Sequence, residues 1–94
     1  MWDIYEHRRV GKQLSSCPLE VQKRYEKWKD IVQLSGPKGL LLIRGFRDEQ
    51  LAGKLKGFRS SRLSKQYRVI YKIEKDHLIV DVLEVNPHDY WSKA

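Results

Sequence analysis

Tyr67, Val69, Tyr71 and Ile73 alternate with Arg68, Ile70 and Lys72, and after Glu74-Lys75-Asp76-His77 a nearly continuous β-branched and aliphatic run extends from Leu78 to Val85. Strict alternation gives a strand with one face in a core, whereas a continuous apolar run belongs to a central strand covered on both faces. Asn86-Pro87 stops the run, since proline cannot continue a central ladder. Upstream, Phe58 to Leu63 leads into the short turn Ser64-Lys65-Gln66, so the sequence predicts a three-stranded antiparallel meander. A turn at 64–66 sets Arg62 opposite Arg68, with both side chains leaving the same face. Directly opposed like charges destabilise a strand pair by a few tenths to about 1 kcal/mol. A hairpin that accepts this is suited to hold an anion between the two guanidiniums.

The first third of the chain has a different period. Val21, Tyr25, Trp28 and Val32 recur at spacings of four, three and four, which marks one face of an amphipathic helix over Leu19 to Leu34. Ser15-Ser16-Cys17-Pro18 offers a capping side chain and a first-turn proline, and Gly36-Pro37 ends the helix. A shorter helix is expected through Arg8 to Leu14. Before it, Trp2, Ile4 and Glu6 alternate with Asp3, Tyr5 and His7, as in a short strand that pairs with a later one. Two N-terminal helices packed on one face of a twisted antiparallel sheet make an α+β domain, and the expected domain spans residues 1–94.

Residues 37–57 are less constrained. Leu40-Leu41-Leu42-Ile43 is too short for its period to decide between helix and strand. Gly45, Gly53 and Gly57 punctuate a basic connection that carries Asp48, Glu49, Lys54 and Lys56. A long connection of this kind in a compact domain is a candidate functional loop. Its glycines lack P-loop spacing and no GK[ST] follows, so nucleoside triphosphate binding has no support.

Charge singles out the same region. The net charge is +7, and residues 44–72 hold nine Lys/Arg against two acids, whereas residues 73–94 hold two against five. A basic field concentrated on a hairpin and its lead-in suits a polyanion, either nucleic acid or an acidic protein segment. The plainer alternative is a solubilising charged surface.

The single cysteine, Cys17, excludes an internal disulfide and indicates a reducing, cytoplasmic setting. It has no histidine near in sequence and reads as a small packed hydrophobe. The opening MWDIYEHRR carries acids inside its apolar stretch and is not read as a signal peptide. Leu40 to Ile43 is far too short to span a bilayer, so no membrane partner is expected. His7 and His77 have no second ligand at metal spacing, and neither a metal nor a cofactor is expected.

The order of helix, helix, basic loop and meander, with LKGFRSSRLSKQYRVIYKI and the terminal HDYW, resembles the RelE/ParE superfamily of bacterial toxins over nearly the whole chain. The resemblance is strongest from Leu51 to Tyr71. That superfamily contains ribosome-dependent mRNA endonucleases, the RelE, YoeB and HigB groups, and ParE proteins that poison DNA gyrase. The pattern here is most similar to the YoeB-like one, which places a glutamate before the LxG-Phe segment, arginines in both hairpin strands, and a histidine and tyrosine at the C-terminus. The resemblance thus implies a catalytic set of Glu49, Arg62, Arg68, His88 and Tyr90, a cognate antitoxin in a hetero-oligomer, and mRNA on the ribosome as substrate. The sequence departs from RelE itself, which uses a lysine pair and a further arginine where this chain has Ser60, Arg62 and His88. Asp89 also separates the histidine from the tyrosine.

Chemistry supports the same set independently. RNA cleavage through the 2′-hydroxyl needs a base, cations for the phosphorane and an acid for the 5′-oxygen. Glu49 and His88 supply base and acid in either order, Arg62 and Arg68 clamp the phosphate, and Lys54, Lys56, Arg59 and Lys65 hold the flanking backbone. Arginine suits the clamp because its planar fork can bind two oxygens and stays charged. Each residue also has a structural role open to it: Glu49 in a surface pair with Lys54 or Arg47, His88 in a turn, Tyr67 and Tyr71 in the core, Tyr90 as an anchor. Three function classes follow: a toxin ribonuclease, a gyrase-binding toxin without nuclease chemistry, and a non-catalytic RNA-binding module.

Overall fold

The computed structural model describes residues 2–75 and 77–85. Its long helix forms where the apolar stripe predicts, and Val21, Tyr25, Trp28 and Val32 are all buried along α2 (Leu19–Ser35). The shorter α1 (Arg9–Ser15) precedes it and buries Val10. Between them the expected side-chain cap, Ser or Cys, does not form: Pro18 takes the N-cap position without a side-chain bond, and its carbonyl accepts from the amides of Val21 and Gln22. The Cys17 thiol instead donates to the Gln13 carbonyl at 3.2 Å, closing α1.

Gly36 ends α2 with a φ of 73°, a conformation that side chains rarely tolerate. Its bare Cα also admits the Trp2 indole, since a Cβ there would meet Trp2 Nε1 at 2.5 Å. The ambiguous leucine run resolves as a single helical turn, α3 (Lys38–Leu41), with Leu40 buried and Leu42 exposed.

Five strands follow one another across the sheet in the order β1 (Asp3–Glu6), β5 (His77–Val85), β4 (Tyr67–Glu74), β3 (Arg59–Arg62) and β2 (Glu49–Gln50). From β5 to β2 every pair is antiparallel, which is the expected meander with a two-residue strand added at its edge. The other edge differs: β1 runs parallel to β5, with Asp3 opposite His77 and Glu6 opposite Val80, so the sheet is mixed. Nearly the whole domain separates these two strands in sequence, so no hairpin forces them antiparallel. The turn between β4 and β5 is tighter than the four residues expected, because the strands continue to Glu74 and from His77. Lys75 takes a φ of 52° at its tip.

Alternation along β4 sorts the two faces. Val69 and Tyr71 are buried against α2, where Trp28 stacks on Tyr25 at 5.7 Å and meets Tyr71 edge-on at 5.3 Å. Ile70 and Ser60, register partners, are buried on the opposite face. The N-terminal strand is tied to α2 by the Tyr25 hydroxyl, which donates to Glu6 Oε2 at 2.5 Å.

Candidate active site

The face away from the helices gathers the charged residues of three strands. Glu49 pairs in register with Ser60, Ser60 with Ile70, and Arg62 with Arg68, so Glu49, Ser60, Arg62 and Arg68 share that face. The opposition of Arg62 and Arg68 predicted from the turn length is present. Arg68 is mostly covered, and its Nη1 donates to Ser60 Oγ at 2.8 Å and lies 3.5 Å from Glu49 Oε1. Glu49 is well exposed, with 57% of its side chain open to solvent, so a ligand can reach it.

Burial lowers the affinity of Arg68 for its proton; Glu49 opposes that effect, and Arg62 and Arg47 add to it by repulsion. The guanidinium remains charged at neutral pH because it starts from so high a value. An anion bound here would meet a cation that is partly desolvated and crowded by like charge, where attraction is stronger than in bulk water.

The sequence offers Arg47 only as a surface partner for Glu49, yet it also acts on Arg68 by repulsion. It occupies the left-handed region, with φ 43° and ψ 50°, and is separated by Asp48 from the strand that carries Glu49. Its nearness to Arg68 has no signature in composition or spacing, because it depends on that backbone turn.

Arg59 stands apart from the set expected to hold phosphates. Its register partner is Tyr71, on the helix side of the sheet. There its Nε and Nη2 reach Asp48 Oδ1 at 2.8 and 2.6 Å. The correction follows from strand period: Arg59 and Arg62 are three residues apart and so leave opposite faces. Lys56 lies with Arg59, Gln50 and Ile73 around a cavity of about 390 Å³. Lys54 sits in a 3-10 turn, Gly53–Leu55, and Lys65 is exposed at the tip of the β3–β4 turn. His88 and Tyr90 lie outside the described residues.

Behind the site, Asp48 is the hub of a buried polar network. Its side chain is 1% exposed. Oδ2 accepts from Ser61 Oγ at 2.6 Å and from the Tyr71 hydroxyl, while Trp28 Nε1 donates to Ser61 Oγ at 2.9 Å. Burial raises the Tyr71 pKa, and the Asp48 charge raises it further. Among the described residues no group of three or more His, Cys, Asp or Glu is arranged to hold a metal ion, and no helix is long and apolar enough to cross a membrane.

No protein-family model matches the chain, and no curated protein matches it. Solved structures do. An archaeal RelE–RelB complex from Pyrococcus horikoshii OT3 contains a chain that superposes with a TM-score of 0.71 at 23% identity, over 90% of this chain and 94% of that one. The chain has the RelE fold. The fold implied by the sequence resemblance is therefore present. The RelE fold here is similar also to the heterotetrameric YoeB–YefM toxin–antitoxin complex of Staphylococcus aureus, with a TM-score of 0.69 at 15% identity over 89% of this chain and 95% of that one. A YoeB/ParE toxin from Agrobacterium tumefaciens gives 0.70 at 11% identity, over 88% and 96% of the two chains. At these identities the likeness is one of fold, and the assignment of site residues on the RelE fold rests on their own geometry.

Proposed function

We propose that this chain is the toxin of a bacterial toxin–antitoxin pair, and that it acts as an endoribonuclease cutting mRNA on the ribosome through attack by the 2′-hydroxyl. One observation carries the reading: an exposed carboxylate, Glu49, lies against a desolvated guanidinium, Arg68, with a second guanidinium, Arg62, opposite it on the same face. Glu49 takes the 2′-hydroxyl proton. Arg62 and Arg68 bind the scissile phosphate and offset the charge that grows on its oxygens in the transition state. Ser60 holds the Arg68 fork in place through Nη1. Lys54 and Lys65 extend the positive field toward flanking phosphates, and His88 protonates the 5′-oxygen. The product is a 2′,3′-cyclic phosphate.

The antitoxin is read as a protein with an acidic segment that covers the basic face, by complementarity of charge. The similar solved structures include two described as toxin–antitoxin complexes, YoeB–YefM and DinJ–YafQ, which supports this choice of partner.

The test is cleavage of mRNA on purified ribosomes, with the new ends mapped and their chemistry determined. Cuts ending in cyclic phosphate, lost in Arg68→Ala and His88→Gln, are the expected result. The likeness to a YoeB/ParE toxin makes gyrase the second target to examine. Growth arrest with gyrase-linked DNA breaks and no new mRNA ends would replace the nuclease reading with that one.

A further inference from the structure

The nuclease reading leaves the buried carboxylate next to its proposed base without a role. Glu49 belongs to a strand of only two residues at the edge of the sheet, held to β3 by the pairs Glu49–Ser60 and Gln50–Arg59. So short an edge strand does not by itself fix a side chain to the fraction of an ångström that proton transfer requires. The residue before it is held far more firmly. Asp48 is joined to Arg59 and Ser61 on β3, to Tyr71 on β4 and, through Ser61, to Trp28 on α2.

We infer that Asp48 is a positioning residue: it anchors the edge strand to the core and so sets where Glu49 stands relative to Arg68. The inference rests on the nuclease reading above. Asp48 touches no reacting atom, since its carboxylate faces the helix side while Glu49 faces the open side. What it contributes is the location of the chain between them. Arg47, in the left-handed conformation, turns the backbone sharply into Asp48, and all four donors then hold that carboxylate in one place. A role confined to stability would reduce the amount of folded protein but not the rate of each folded molecule.

The experiment is single-turnover cleavage of mRNA on ribosomes by wild type, Asp48→Asn, Glu49→Gln and the double variant, with the folded fraction measured by circular dichroism. Asp48→Asn is expected to slow the maximal rate by about tenfold to a hundredfold, as misplacement of a reacting group does, with the half-saturating concentration changed less than about twofold. In the Glu49→Gln background the same change should add less than about twofold, because two residues acting through one position are not additive. Losses that multiply fully would overturn the inference and leave Asp48 a structural residue. Wild-type turnover in Asp48→Asn beside a crippled Glu49→Gln would overturn it while leaving the nuclease reading intact. Wild-type turnover in Glu49→Gln would remove Glu49 from the reaction and this inference with it. If Asp48→Asn does not fold, Tyr71→Phe decides the matter, since it removes one donor and keeps the ion pair. Slower cleavage that vanishes as an effect in Glu49→Gln supports the inference, and unchanged cleavage contradicts it.

Discussion

Arg62 and Arg68 are register partners across the β3–β4 hairpin, and their guanidiniums leave the same face of the sheet. Two like charges so placed oppose folding and favour an anion. Arg62→Gln should therefore raise stability by a few tenths to about 1 kcal/mol in urea unfolding. The same variant should cut RNA about a hundredfold more slowly, as loss of one preorganised cation or donor does. A variant that is both less stable and fully active would mean that the pair serves the fold.

RNA binding should carry the electrostatic signature of the same pair. For single strands the logarithm of affinity falls with the logarithm of salt by roughly 0.7 for each phosphate neutralised. Arg62→Gln and Arg68→Gln should each lower that slope by roughly 0.7, measured by fluorescence anisotropy with a short oligoribonucleotide. Arg59→Gln should leave it unchanged, because Arg59 is paired with Asp48 on the helix side.

The Trp28–Ser61–Asp48 chain crosses the interface between α2 and the sheet. Ser61→Ala leaves the indole N–H without its partner and removes a donor from a buried carboxylate, at a cost of about 1–3 kcal/mol. Trp28→Phe should cost a comparable amount, and the double variant less than the sum, since both remove the same link. Midpoints of urea unfolding at constant slope measure this directly.

Alkaline stability follows from two tyrosines. Burial raises the pKa of both Tyr25 and Tyr71, with Glu6 adding to the first and Asp48 to the second. In the unfolded chain both ionise at about pH 10, so above that pH the unfolded state holds fewer protons than the folded one. Stability should be insensitive to these groups below about pH 10 and then fall by about 1.4 kcal/mol per pH unit for each tyrosine. Tyr71→Phe should remove half of that slope, as read from thermal unfolding between neutral and alkaline pH.

Much of the fold is legible in local pattern. The helical stripe of Val21, Tyr25, Trp28 and Val32, the alternation around Val69 and Tyr71, and the turn at 64–66 each depend on near neighbours in sequence. The parallel pairing of β1 with β5 does not, because it joins the two ends of the described chain. The site divides along the same line. The turn at 64–66 sets Arg62 with Arg68, and strand period removes Arg59, which is three residues from Arg62 and so on the other face. Asp48 could have been noted only as an acid beside Glu49. Its burial is created by residues drawn from α2, β3 and β4, and no local signal marks it. Ser60 is similar, since its value lies in a bond to Arg68 eight residues away.

Glu49, Arg62 and Arg68 are proposed to cut RNA. Single-turnover cleavage of ribosome-bound mRNA by wild type and Arg68→Ala, with the chemistry of the new 3′ ends determined, measures this directly. Wild type should leave 2′,3′-cyclic phosphate ends, and the variant should cut more slowly by about a hundredfold or more. Equal rates from the two proteins, or no new ends from a wild type that still arrests growth, would contradict it.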